Sequence, residues 1–151
     1  MVKKIDHENI ENSRRIYSIF QVSYKVEAEL LNMDCFPPLN RNSENILTSD
    51  SEFYAFWKKD EVVGLVEIFT ENEVTDIQSL VVHPQYFRQG IGMELVTFIT
   101  NAIDSKLFVV ETGIDNFPAV KLYGKLGFIE KRQWETKEGI IIVRFEKGKR
   151  K

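Results

Sequence analysis

Residues 80–99 read LVVHPQYFRQGIGMELVTFI. An apolar run, Leu80-Val81-Val82, gives way to a polar loop that ends in Gly90-Ile91-Gly92. A helical pattern follows: Ile91, Leu95, Phe98, Ile99 and Ile103 recur at the spacing of one face of an amphipathic helix. A strand, a glycine turn and a helix start suit a nucleoside triphosphate, a dinucleotide or an acyl-CoA, or bind nothing at all. A triphosphate loop needs a lysine and a hydroxyl after its last glycine, and Met93-Glu94 stand there. A dinucleotide loop sets its glycine directly after the strand and needs a third small residue. Here HPQYFRQ intervenes and Leu95 holds that place.

Working upstream, EFYAFWK (Glu52 to Lys58), VVGLVEIFT (Val62 to Thr70) and VTDIQSLVV (Val74 to Val82) are strand-like runs separated by short polar turns. That pattern predicts an antiparallel meander. Leu80 to Val82 is apolar on both faces, which suits a central strand covered on each side. Ile10, Tyr17, Phe20 and Tyr24 predict a helix from Asp6, its cap, to about Tyr24. YKVEAELL extends this helix or begins a second. Asn32 to Asn45 reads as a loop, because Pro37-Pro38 bars helix and central strand, and its length makes it functional or mobile.

Downstream, KLFVVE (Lys106 to Glu111) predicts a buried strand. NFPAVKLYGKLGF predicts a short helix with Asn116 as N-cap, Pro118 in the first turn and Gly127 at the stop. Its core face is Ala119, Leu122, Tyr123 and Leu126. FIEKRQWE and GIIIVRFE read as a hairpin through TKEG. The sum is an α/β chain: a mixed sheet with helices on both faces.

The chain has 151 residues, 43% apolar and 28% charged, which predicts one globular domain over 1–151. The net charge of −3 disfavours nucleic acid as a partner. No run approaches the ~20 apolar residues of a membrane span, and MVKKIDHENIENS holds no apolar stretch. The lone Cys35 makes no internal disulfide, so a reducing, cytoplasmic setting is expected. Cys35 has no base nearby in sequence and reads as a packing residue. His7 and His83 form no cluster with it, so no metal is expected. The basic EKGKRK reads as a solvated tail.

Two blocks together carry a resemblance. HPQYFRQGIGMEL resembles the acetyl-CoA signature of the GNAT superfamily of N-acetyltransferases, a strand, a loop of form [Q/R]-x-x-G-x-[G/A] and a helix. NFPAVKLYGKLGF is similar to that family's second signature, N-x-x-A-x-x-x-Y-x-K-x-G-F. The resemblance implies a central mixed, mainly antiparallel sheet with helices on both faces and splayed central strands. It implies acetyl-CoA as cosubstrate and acetyl transfer to a primary amine, small-molecule or peptide, by direct attack in a ternary complex. A homodimer is a family-level expectation. The implied cofactor contacts are the main chain of Leu80, Val81 and Val82 along the pantetheine arm, the loop Phe87, Arg88, Gln89, Gly90, Ile91 and Gly92 at the pyrophosphate, and Asn116, Ala119 and Tyr123. In one respect the chain departs: the Gln/Arg slot falls on Phe87, with arginine one place later at Arg88. The amide cradle survives this, since backbone N–H groups at a helix start present positive charge to an anion. Side-chain charge then comes from Arg88 or Gln89.

A lysine-like amine has a pKa of ~10.4, so making it neutral at pH 7 costs roughly 4–5 kcal/mol, and a base helps. Family members that acetylate histones carry a glutamate ahead of the glycine loop, and the same distance back from Gly90 reaches Asp76. Aspartate is shorter, so a water intervenes; alternatively Asp76 is a solvent-facing strand-start residue. Glu67 and Glu111 are the next candidates. The resemblance places Tyr123 near the CoA sulfur as general acid. A thiol pKa of ~8.5 against ~10 for tyrosine makes full transfer uphill by about 2 kcal/mol, so a hydrogen bond to the developing thiolate is the better description. The acceptor pocket falls to the first helix, the Asn32 to Asn45 loop and the terminal hairpin. Glu27, Glu29 and Asp34 either hold a cationic amine there or form a solvated helix face. A non-catalytic acyl-CoA-binding module and an interaction protein without a CoA site are the rival readings.

Overall fold

The computed structural model describes residues 1–149. The meander runs as β2 (Glu52–Lys58), β3 (Glu61–Glu71) and β4 (Val74–Val82), each antiparallel to the last. Phe53 to Phe56 and Val63 to Ile68 are buried without interruption, as strands covered on both faces require. Phe53, Ala55 and Leu65 face one cluster, while Tyr54, Phe56 and Val66 face the other.

The first cluster is closed by α1 (Ile10–Leu30), through Ile16, Ile19, Phe20 and Tyr24. This is one helix, and Ala28 and Leu31 continue its buried face. Its cap is Asn9, whose side chain accepts from the Asn12 N–H, not the expected Asp6. The opposite cluster is closed by α3 (Ile91–Ala102) and α4 (Phe117–Lys125). Within α3 the fully buried residues are Ile91, Leu95, Val96 and Ile99, while Phe98 lies half-buried with its ring 5.6 Å from that of Tyr54. The α4 face is Ala119, Leu122, Tyr123 and Leu126, as its spacing predicts.

Together with an N-terminal β1 (Val2–Ile5), β5 (Leu107–Gly113), β6 (Ile129–Glu135) and β7 (Ile141–Gly148) complete a seven-stranded sheet of order β1-β2-β3-β4-β5-β7-β6. The β6–β7 hairpin turns through Thr136 to Gly139, and β7 lies between β5 and β6. Two elements depart from the sequence reading. β1 (Val2–Ile5) is a short edge strand on β2. The expected loop holds a 3-10 turn, Pro37–Asn40, and a one-turn helix, α2 (Ser43–Leu47), capped reciprocally by Asn42 and Asn45. Nor is all of EKGKRK a tail: Glu146 to Gly148 belong to β7. Arg150 and Lys151 lie outside the described residues.

The two central strands are the only parallel pair among the described residues, and they part. β4 pairs with β5 only from Val74↔Leu107 to Ile77↔Val110. Beyond that β4 continues along β3 to Val82, and β5 continues along β7 to Gly113. Gln78 is an extra residue in β4, since Glu67 pairs with Ser79 and Ile68 with Ile77. Such a bulge bends its strand and raises local twist. The splay implied by the family resemblance therefore starts at a bulge.

Candidate active site

A cavity of about 350 Å³ fills the splay. Its walls include Ile77 to Leu80 from β4, Val110 to Gly113 from β5, and Asn116, Ala119 and Tyr123 from α4. On the far side Tyr24 and Glu27 of α1 and the segment Phe36 to Pro38 close it. Ligand sites of this size normally pair apolar walls with a few placed polar groups.

Tyr123 is that kind of group. Its ring packs in the core against Phe128 at 5.3 Å and Phe145 at 6.0 Å, and the residue is 2% exposed. The hydroxyl makes no hydrogen bond among the described residues, and no fully buried polar side-chain atom among them lacks a partner. It therefore opens into the cavity. Burial, with the nearby Glu27 and Tyr24, pushes its pKa well above the ordinary tyrosine value. Asn116 caps α4 by accepting from the Ala119 N–H, and its amide donates to Glu27 Oε1 at 2.7 Å. The two readings of Asn116, cap and site residue, are thus compatible. Burial raises the Glu27 pKa, opposed by that Asn116 bond.

The glycine loop leaves the end of β4 through a 3-10 turn, Pro84–Tyr86. Arg88 and Gly90 both take positive φ, +64° and +78°. The N–H groups of Arg88, Gln89 and Gly90 donate to nothing among the described residues. Free amides in alternating conformation at a helix start make an anion-binding concavity. Phe87 is exposed and offers no donor. Lys58, at the end of β2, donates to Gln89 Oε1 at 2.7 Å. Sequence reading missed that cation, because it lies a whole meander away. The two glycines differ. Gly92 has ordinary room for a Cβ, 3.5 Å from Leu122, whereas Gly90 has open space but a left-handed backbone. Gly90→Ala is expected to cost about 1 kcal/mol in urea denaturation, while Gly92→Ala is neutral or slightly stabilising. Equal loss from both would show that packing, not φ, selects Gly90.

The family model described as Acetyltransferase (GNAT) family matches residues 13–128. This chain belongs to the GNAT family. Among curated relatives, UPF0157 protein YqkA of Bacillus subtilis (strain 168) is 29% identical over 146 residues. That match covers 96% of this chain and 43% of YqkA, so the chain spans under half of that relative. Streptothricin acetyltransferase of Escherichia coli is 27% identical over 124 residues, 78% of this chain and 71% of that protein. Among solved structures, yncA of Salmonella typhimurium, described with its cofactor acetyl-CoA, superposes with a TM-score of 0.76 at 13% identity. It covers 100% of this chain and 94% of that one, and shares the fold.

Within this GNAT domain the candidate carboxylates separate. Glu67 is 1% exposed and fully engaged. Arg41 donates to both its oxygens, at 2.7 and 2.9 Å, Ser51 donates at 2.5 Å and Ser79 at 2.9 Å. Burial alone would raise its pKa, but the Arg41 and Ser51 bonds, the Arg41 charge and the Ser79 bond outweigh that and hold it low. Glu67 is thus a structural anion and is corrected as a base candidate. Asp76 is exposed one residue before the strands part and stands outside the cavity lining. Its neighbours are Glu111, which lines the cavity, and Arg144, which donates to Glu111 at 3.2 Å. Of Glu27, Glu29 and Asp34, only Glu27 reaches the cavity; the others are exposed. Cys35 is exposed, which corrects its reading as packing: Phe36 turns inward instead, onto Tyr24 at 5.8 Å. Among the described residues no three His, Cys, Asp or Glu are grouped to hold a metal, and no helix is long and apolar enough to cross a membrane.

Proposed function

We propose that this chain transfers an acetyl group from acetyl-CoA to a primary amine by direct attack in a ternary complex. The observation that carries this is the buried Tyr123, its hydroxyl unpartnered among the described residues, opening into the cavity where β4 and β5 part. Beyond Ile77 the segment Leu80 to Val82 has no partner strand on the β5 side, which suits the amide-bearing pantetheine arm, added like a strand, although Val82 O already accepts from Ser23 Oγ at 3.0 Å. The loop amides from Arg88 to Gly92 then face the pyrophosphate, with the α3 dipole behind them, while the Phe87 N–H is already held by Pro84 O. Arg88 or Lys58 supplies the side-chain charge that Phe87 lacks. Asn116 and Ala119 border the arm near the thioester.

In the reaction the amine nitrogen forms a bond to the thioester carbonyl carbon and the C–S bond breaks. Tyr123 hydrogen-bonds the leaving sulfur. The amine proton passes through water to Asp76, beside the cavity-lining Glu111. Although Asp76 is exposed as a residue, partial desolvation of its carboxyl raises its pKa, and the like charge of Glu111 raises it further against the pull of Arg144. A carboxylate so shifted is a better base near neutral pH. Asp76→Asn is expected to lower kcat by about 100-fold. In Glu111→Gln the like charge is gone, so the Asp76 pKa falls and the acid limb of the kcat/KM profile moves to lower pH. An unmoved limb would remove Asp76 as the titrating base.

Thiol release from acetyl-CoA across an amine panel, with calorimetry of acetyl-CoA binding, tests the whole reading. Binding with amine-dependent release supports it. Binding without release indicates an acyl-CoA-holding module, and no binding at millimolar ligand overturns the cofactor assignment.

A further inference from the structure

The cavity carries a charge pattern that bears on the acceptor. Glu27, Glu111 and Glu138 line it, and no lysine, arginine or histidine does so among the described residues. Two arginines that touch its surroundings are already occupied. Arg41 is held in its two-pronged bond to Glu67, and Arg144 donates to Glu111 and Glu146. An acceptor bearing a carboxylate or phosphate would therefore bring like charge to a site with no free cation to receive it. The lining also includes an apolar set, Leu31, Met33, Phe36, Pro37 and Pro38, which suits a methylene chain. A second, independent feature marks the site as built for a ligand. Tyr123 is 2% exposed, and its hydroxyl opens into this cavity without a protein partner among the described residues.

We propose that the acceptor is a diamine, a primary amine whose aliphatic chain carries a second cationic group. This rests on the acetyl-transfer reading above. Glu27 stands beside Tyr123 and Asn116, at the reacting end. Glu138 belongs to the β6–β7 turn and is exposed, so it stands at the rim, where the distal ammonium lies. The diamine enters with both ends protonated. The reacting ammonium gives up one proton to Asp76 through water and then to solvent. Its nitrogen forms the amide bond as the C–S bond breaks, the second proton it loses passes through water to the sulfur that Tyr123 hydrogen-bonds, and the sulfur leaves as the thiol. An ammonium and acetyl-CoA thus become an amide, CoA and a proton. The product carries one positive charge fewer than the substrate, which weakens its hold on the acidic cavity and favours release after a single acetylation.

Putrescine, n-butylamine and γ-aminobutyrate test this, because they share one carbon chain and differ only in the distal group. Thiol release above the amine-free background gives kcat/KM for each. Putrescine is expected to exceed n-butylamine by about 10-fold or more, the scale of one charge-assisted contact, and γ-aminobutyrate is expected to be the poorest. Glu138→Gln should cut the putrescine to n-butylamine ratio several-fold, and added salt should narrow it. Equal use of putrescine and n-butylamine, or a ratio indifferent to Glu138→Gln, overturns the diamine assignment alone. Release with none of a wider amine panel overturns the acetyl-transfer reading and this one with it.

Discussion

Tyr123→Phe is expected to lower kcat by about 100-fold, the scale of one lost acid or oxyanion-type donor, with acetyl-CoA affinity changed less than about twofold. The asymmetry follows from how the side chain is divided. The ring is core, packed on Phe128 and Phe145, and phenylalanine keeps that packing. The hydroxyl has no protein partner among the described residues, so removing it breaks no bond in the folded protein. Stability should therefore stay within about 0.5 kcal/mol, which separates a chemical role from a structural one. Burial, Glu27 and Tyr24 all raise the hydroxyl pKa. The group stays protonated across the assay range and can donate at every pH where the base is ionised. For the same reason, in the proposed reaction it is expected to donate without handing over its proton. The loss in kcat should then be uniform with pH, with no limb that Tyr123→Phe abolishes. Unchanged turnover would remove the role.

How far the sequence reaches can be seen residue by residue. The glycine loop, the second block and the alternating runs lead to β2 through β7, α3 and α4, because each signal is local. Val2 to Ile5 gave none: a four-residue edge strand half made of lysine has no alternation to read. α2 is a single turn with one buried residue, Ile46, too short for a periodicity. The bulge at Gln78 is also silent. It shifts Ser79 and Val81 onto the α1 face while Ile77 stays with α3, and only the pairing with β3 reveals the shift. Glu67 did carry a signal. A carboxylate inside VVGLVEIFT must be buried if the strand is, and a buried carboxylate needs a cation. What the sequence withholds is which cation, since Arg41 lies in an irregular segment 26 residues away. The side of the cavity proposed for the acceptor is obscure for the same reason. It is assembled from α1, the Pro37 turn and the terminal hairpin, joined only by the fold.

Arg41→Met is expected to destabilise the protein by about 3 kcal/mol, the lower end for breaking a buried pair, because the guanidinium is a quarter exposed. The cost comes from Glu67, left with only the Ser51 and Ser79 hydroxyls in a buried site. Arg41 also lies over the Phe20 and Phe53 rings at 5.5 and 5.8 Å, so methionine keeps some packing there but not the cation–π attraction. pH gives the sharper test. In the native protein the folded pKa of Glu67 is depressed. Its contribution is present above the unfolded carboxylate pKa and is lost as pH falls through the folded one. In Arg41→Met the Arg41 bonds and charge that lower it are gone and only the Ser51 and Ser79 bonds still lower it, so burial, the largest single influence and one that raises it, is expected to prevail. The folded state then binds the proton more tightly than the unfolded chain does, and the variant gains stability as pH falls toward the unfolded pKa. Urea midpoints across mildly acid pH should therefore show the Glu67 contribution with opposite slopes in the two proteins. Replacing both residues, Arg41→Met with Glu67→Leu, should recover most of the loss, since no buried charge is left alone. Because Arg41 and Glu67 border a second cavity that shares Tyr24, Pro38, Gln78 and Ser79 with the first, Arg41→Met should raise KM for the amine more than for acetyl-CoA. A loss below about 1 kcal/mol with parallel slopes would mean that the pair contributes no more than an exposed one, and that the acceptor wall is held by other contacts.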